Sequence, residues 1–158
     1  MQKITTFLTF DNQAEEAVNL YTSIFKSSKI STISRYGEGG PGAPGSVMVM
    51  TFQLEGQDFV ALNGGPSFKF TEGISLYVDC GSQEEVDHLW EKLTAGGGEP
   101  SQCGWLKDRY GVSWQIIPRV LTDLIQDPDP EVAQRVMQAM MKMSKIDIKL
   151  LEEARDGR

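Results

Sequence analysis

One stretch occurs twice in this chain, and that repeat limits what it can fold into. Leu76 to Trp90 reads Leu-Tyr-Val-Asp-Cys-Gly-Ser-Gln-Glu-Glu-Val-Asp-His-Leu-Trp, and Leu8 to Tyr21 reads Leu-Thr-Phe-Asp-Asn-Gln-Ala-Glu-Glu-Ala-Val-Asn-Leu-Tyr. With one inserted residue in the turn, Leu8 falls on Leu76, Phe10 on Val78 and Asp11 on Asp79. Glu15–Glu16 then fall on Glu84–Glu85, Leu20 on Leu89 and Tyr21 on Trp90. Both copies read strand, turn, helix. A solenoid needs three or more repeats to bury a core, so two copies point instead to two similar modules packed into one domain. At 158 residues the chain is long enough to bury a substantial core.

Charge and composition narrow the partners. The net charge is −7, with no sustained Lys/Arg block. Phosphate contacts need clustered positive charge, so no nucleic acid and no anionic membrane is expected as a partner. No apolar run approaches the roughly 20 residues of a membrane span. The N-terminus passes from Met-Gln-Lys straight into a strand pattern without a signal-peptide core, which makes the cytoplasm the expected location. Cys80 and Cys103 stand far apart and form no CxxC pair.

In chain order, Ile4, Thr6, Leu8 and Phe10 alternate with Thr5, Phe7 and Thr9, the period-two mark of a strand. Asn12 with Glu15 resembles a capping box, and Ala14, Ala17, Val18, Tyr21 and Phe25 fall on one helical face. Strands are expected at Lys29 to Tyr36, Ser46 to Leu54 and Asp58 to Leu62. The loop Gly37 to Gly45, with five glycines and two prolines, is expected to hold neither helix nor strand and to be mobile. In the second copy Ser82 caps with Glu85 three residues on, and the helix runs to about Thr94 before Gly96–Gly98. Pro100 to Lys107 and Gly111 to Ile117 read as strands around an Asp108–Gly111 turn, and a short apolar piece, Val120 to Ile125, follows. Asp129 and Pro130 open a helix to about Met143, and Ser144–Asp147 restarts another. Met137, Met140, Met141 and Met143 make an adaptable apolar surface, read either as packing onto the domain or a partner or as a lid over a ligand.

This order of elements, with Phe7–Phe10 leading to Glu15–Ala17 and Tyr21–Phe25, then Ala61–Pro66, Asp108–Ile116 and the tail from Val136 to Ile148, resembles the vicinal oxygen chelate superfamily of glyoxalases, bleomycin-resistance proteins and extradiol dioxygenases. It is most similar to the PhnB-like branch, which goes by the name "3-demethylubiquinone-9 3-methyltransferase domain". The resemblance implies an α+β fold of two βαβββ-like modules forming one curved mixed sheet, with helices outside, a cup inside and a helical C-terminal tail. Residues 1–126 are then one domain, with modules at about 1–66 and 67–118. Residues 127–158 are an extension packed on that domain or on a partner subunit. Homodimers are common in the superfamily, so a homodimer is implied as well.

Metal-dependent members of the superfamily place His or Glu on the inner face of the first and last strands of each module. Here those positions fall near Thr5 (or Thr6) and Gly73, and near Asn63 (or Ala61) and Gln115. None is a histidine, carboxylate or thiolate, the ligands that Zn, Ni or Fe favour. No metal and no cofactor is therefore expected. The sole histidine, His88, reads as a surface or packing residue on the second helix. The methyltransferase name fits poorly, because neither strand–helix turn is the Gly-rich loop of a dinucleotide-type cofactor fold.

By alternation Leu76, Val78, Trp114 and Ile116 point to the helices, and Ser75, Tyr77, Ser113 and Gln115 into the cup, with Thr5, Phe7 and Thr9 facing inward from the first module. Trp105, Phe68, Phe70 and Tyr110 are rim candidates, or ordinary core aromatics. Arg35 and Arg109 are candidates for holding an anionic group, or ordinary surface charges. The ligand-binding candidates are thus Thr5, Phe7, Asn63, Ser75, Tyr77, Trp105, Arg109 and Gln115, with no catalytic residue assigned. A metal-free small-molecule-binding protein is the leading expectation. The alternatives are an enzyme of the same fold, glyoxalase- or dioxygenase-like with a weakly held metal, the methyltransferase of the family name, and a protein whose main role is assembly through the Met-rich tail.

Overall fold

The computed structural model describes residues 2–158. They form two compact units, Met1–Lys69 and Phe70–Arg158. The first unit runs β1 (Thr6–Phe10), α1 (Ala14–Ile24), β2 (Lys29–Arg35), β3 (Val47–Leu54) and β4 (Gln57–Asn63). The second runs β5 (Leu76–Cys80), α2 (Gln83–Thr94), β6 (Glu99–Pro100), β7 (Trp105–Lys107) and β8 (Ser113–Pro118), then α3 (Arg119–Ile125), α4 (Pro130–Met141) and α5 (Ile148–Arg155).

The internal repeat appears as a repeated topology. Each unit has a four-stranded sheet, ordered β1-β4-β3-β2 and β5-β8-β7-β6. In each, the first strand pairs parallel with the last and the other ladders are antiparallel. The α+β class, the two modules and the helical tail are as expected. One feature differs: the strands make two sheets rather than one continuous curved sheet, since each ladder closes within its own unit among the described residues.

In the first unit Ala14, Ala17, Val18, Tyr21 and Phe25 bury against Leu8, Phe10, Met50, Phe52 and Ala61. Phe52 stacks on Phe59, with ring centroids 5.4 Å apart. The start of α1 departs from the capping-box reading. Its N-cap is Gln13, which makes no side-chain cap; the Asn63 Oδ1 accepts from Ala14 N at 2.9 Å instead. The glycine-rich loop after β2 has a defined closure. Tyr36 and Ser46 bond across its base. The loop lies on the Tyr36 ring so closely that a Cβ on Gly42 would stand 2.3 Å from it.

In the second unit Ser82 caps α2 as expected, its Oγ accepting from Glu85 N at 3.1 Å. The strand expected over Pro100 to Lys107 is broken into β6 and β7. Between them Cys103 and Gly104 take positive φ, 60° and 85°, which turns the chain. That turn is where the tail attaches: Cys103 N and Gly104 N donate to the Met143 and Ser144 carbonyls, each at 2.8 Å. The tail buries Val136, Met143, Ile146 and Leu151 against Leu121, Leu124 and Ile117. Gln83, at the start of α2, bonds both Ile146 O and Ile148 N. The last helix begins at Ile148 with Asp147 as its cap, so Ser144–Ile146 is linker and not helix.

The ladders also correct the register between the copies. β1 spans Thr6–Phe10 and β5 spans Leu76–Cys80, so Leu8 corresponds to Val78 and Phe10 to Cys80, two residues from the sequence alignment. Side chains alternate with period two, so a two-residue slip leaves every residue on the face assigned to it.

Candidate functional site

Each sheet has one face packed on its helix and one open face, and the candidate residues divide between them. On the first sheet Phe7 pairs with Val60, and Val60 with Thr51, making a row across the open face. Phe7 is 56 % exposed. The neighbouring row holds Thr5, Asp58 and Gln53; Gln53 Nε2 donates to Asp58 Oδ1 at 2.6 Å. Thr51 and Thr32 share a hydroxyl bond of 2.6 Å. A hollow of about 280 Å³ opens on this face, lined chiefly by Thr5, Ser31, Thr51, Asp58 and Val60.

Asn63 does not belong to this surface. It pairs with Phe10, on the helix side, and both ends of its amide are engaged. Oδ1 caps α1, Nδ2 donates to Val47 O at 3.0 Å, and its main-chain O accepts from Tyr36 OH at 2.8 Å. The open-face counterpart of Gln115 is Val60: Phe7 stands opposite Val60 and Tyr77 opposite Gln115 in equivalent parallel ladders. Sequence reasoning missed this because the strand ends lie in loops, and only ladder partners fix the phase.

On the second sheet Tyr77, Gln115 and Trp105 form one row. Tyr77 is 51 % exposed, and its hydroxyl bonds Thr122 Oγ1 at 3.1 Å. Gln115 Nε2 donates to Ser75 Oγ at 2.9 Å, so Ser75, Tyr77, Trp105 and Gln115 do come together. Lys107 pairs in register with Ser113, whose Oγ is buried without a hydrogen-bond partner. Lys107 also forms an ion pair with Glu72. That contact holds the Glu72 carboxyl below its usual range and raises Lys107.

The basic candidates lie elsewhere. Arg109 packs against the turn after α2, where a Cβ on Gly96 would stand 2.8 Å from its guanidinium carbon. It also lies 5.9 Å from the Tyr110 ring centroid. Arg35 is taken up by Glu15 at 2.9 Å and by Gly45 O at 3.1 Å. The rest of the Asp108–Gly111 turn is structural: the buried Asp108 accepts from Tyr110 N, Val112 N and Trp114 Nε1 at 2.9–3.0 Å. Cys80 is buried, and desolvation, with Glu85 nearby, pushes its thiol up to about 12.

The residues present do not fit a resident transition metal. At the open-face positions of the first and last strands that correspond between the units stand Thr5 and Val60 in one and Ser75 and Gln115 in the other, all neutral. The open-face carboxylates, Asp58 and Asp79, are engaged by Gln53 and by Arg119, the latter at 2.7 Å. No group of three or more His, Cys, Asp or Glu stands together among the described residues.

The family model described as 3-demethylubiquinone-9 3-methyltransferase matches residues 2–117. The structure of a PhnB protein from Bacillus cereus, which carries the same methyltransferase name provisionally, is 46 % identical, covering 74 % of this chain and 99 % of its own, with a TM-score of 0.70. This chain belongs to that family. It is the branch that the sequence resemblance named. A Pseudomonas aeruginosa protein shares the fold at 19 % identity, covering 75 % of this chain and 98 % of its own, with a TM-score of 0.62. A Staphylococcus aureus protein is 38 % identical, covering 73 % of this chain and 94 % of its own, with a TM-score of 0.35. No curated protein matches the chain.

The methyltransferase chemistry in the family's name requires a cofactor, and the residues do not fit one bound in the dinucleotide manner. That manner needs a parallel sheet and a Gly-rich strand–helix turn. Here each sheet has a single parallel pair, and the turns are Asp11–Asn12–Gln13 and Gly81–Ser82.

Proposed function

We propose that this protein binds a small organic molecule on its open sheet faces and works without a catalytic transition metal. The donor set is the observation that supports this. Thr5, Val60, Ser75 and Gln115 offer hydroxyl, methyl and amide groups where the metal-dependent members of the superfamily present imidazole or carboxylate. On the first unit's open face Phe7 supplies apolar area beside Thr5 and Val60; on the second unit's open face Tyr77 and Trp105 supply it, with Gln115 and Ser75 as placed hydrogen-bonding groups. That combination suits a ligand fixed by packing and oriented by a small number of polar contacts. The protein acts as a cytoplasmic homodimer in this reading; no helix among the described residues is long and apolar enough to cross a membrane.

Native mass spectrometry with elemental analysis on one freshly purified sample tests the reading. The expected result is a metal-free dimer carrying, or able to take up, a small organic mass. Gln115→Ala weakens that uptake without abolishing the dimer. One transition metal per subunit that survives dialysis overturns the proposal, as does stoichiometric binding of S-adenosylmethionine in a calorimetric titration.

A further inference from the structure

From the hollow on the first sheet we infer a subsite for a protonated amine borne by a hydroxyl-bearing part of the ligand. This deepens the ligand-binding proposal and rests on it. The hollow crosses the open face from Thr5 on the β1 side to Ser31 on β2. At about 280 Å³ it stands at the small end of ligand pockets, which start near ~300 Å³. A sugar-sized group fills it.

Asp58 sets the charge. Its main chain is held from both directions by Gln2: Asp58 N donates to Gln2 Oε1, and Gln2 Nε2 donates to Asp58 O, each at 3.0 Å. Gln53 holds carboxylate Oδ1 at 2.6 Å. The carboxylate is therefore fixed in position while no cation pairs with it among the described residues, and no lysine or arginine lines the hollow. A half-buried carboxylate without a counter-charge favours an ammonium, through a charge-assisted hydrogen bond. The net charge of −7 adds long-range attraction for a cation. A divalent metal fits poorly, because hard cations need six or more oxygen ligands, several of them carboxylates.

The remaining lining selects within the amines. Thr5 and Ser31 present hydroxyls beside Asp58, and Thr51 keeps its hydroxyl on Thr32. Hydroxyl groups of a ligand can exchange donors and acceptors with them. Val60 and Phe7, in the next row, take the ligand's apolar part.

Glucosamine and glucose make a matched pair of probes, alike except that a neutral hydroxyl of similar size replaces the ammonium group. Both are titrated into the full-length isotope-labelled protein, following the main-chain amides of Thr5, Thr51 and Val60 by two-dimensional NMR. Glucosamine is expected to shift these amides, and glucose to bind about tenfold more weakly, the loss of one charge-assisted contact. Asp58→Asn keeps the size and a contact to Gln53, and is expected to erase the difference between the sugars. Val60→Trp fills the hollow and removes both responses while leaving Asp58 in place. Equal shifts from both sugars, an undiminished preference in Asp58→Asn, or no shift at tens of millimolar each overturn the inference. A co-purified neutral compound that perturbs only Tyr77 and Gln115 overturns it too, yet leaves the ligand-binding proposal standing. Failure of both readings shows as no response at either face.

Discussion

Asn63 is the residue whose role changes most between sequence and structure, and Asn63→Ala tests that change. The substitution removes two side-chain bonds. The Oδ1 cap on Ala14 N is worth about 1 kcal/mol by analogy with N-cap deletions. The Nδ2 bond to Val47 O adds about 1 kcal/mol. The main-chain acceptor for Tyr36 OH is untouched. The sum is about 2 kcal/mol, which for a chain of this size is a fall in Tm of about 4–8 °C. Urea unfolding followed by far-ultraviolet circular dichroism should show a lower midpoint with an unchanged slope, since no extra surface is exposed. Asn12→Ala is the control. A capping box would place the cap there, but Asn12 is exposed, so its loss should stay within about 0.5 kcal/mol. Equal losses from the two variants, or a neutral Asn63→Ala, refute the reasoning. So does a ligand affinity that collapses in Asn63→Ala under conditions where the fold is intact, because that returns Asn63 to the binding surface.

Three further outcomes follow from buried groups. In the native protein Cys103 should react with a thiol reagent in mildly alkaline buffer while Cys80 stays protected until unfolding; two fast thiols contradict the burial that raises Cys80. The same shift has a sign for stability: the folded thiol titrates near 12 and the unfolded one near 9.0, so its contribution is intact below 9.0 and is lost as pH rises toward 12, measurable as a falling urea midpoint. Asp108→Ala strips the acceptor from two main-chain amides and the Trp114 indole. It should cost about 3 kcal/mol, as buried donors left unpaired do, and a cost under 1 kcal/mol in the same assay contradicts the structural role.

The fold was legible because its signals are local and periodic. The alternation through Leu8 and Phe10, the helical face from Ala14 to Phe25 and the Ser82 and Asp129 caps each need only a few neighbouring residues, and each holds. What escaped the sequence depends on partners distant along the chain. Asn63 reaches Ala14 across 49 positions. Cys103 and Gly104 break an apparent strand at the turn whose main-chain amides meet Met143 and Ser144. The site followed the same division. Tyr77, Gln115 and Ser75 were assigned to one face by period two alone, whereas Asp58 and Ser31, which shape the hollow, needed the ladder register.

All three tryptophans, Trp90, Trp105 and Trp114, lie in the second unit, and the first has none. Intrinsic fluorescence is therefore a one-sided reporter. Trp114 is shielded and tied to Asp108, while Trp105 shares the open row with Tyr77 and Gln115. A compound that settles beside Gln115 should quench or shift the emission through Trp105. A compound confined to the hollow near Asp58 has no tryptophan of its own unit to perturb. A silent fluorescence screen is then no argument against the amines proposed for the first unit, so ligand discovery here has to begin with a label-free readout.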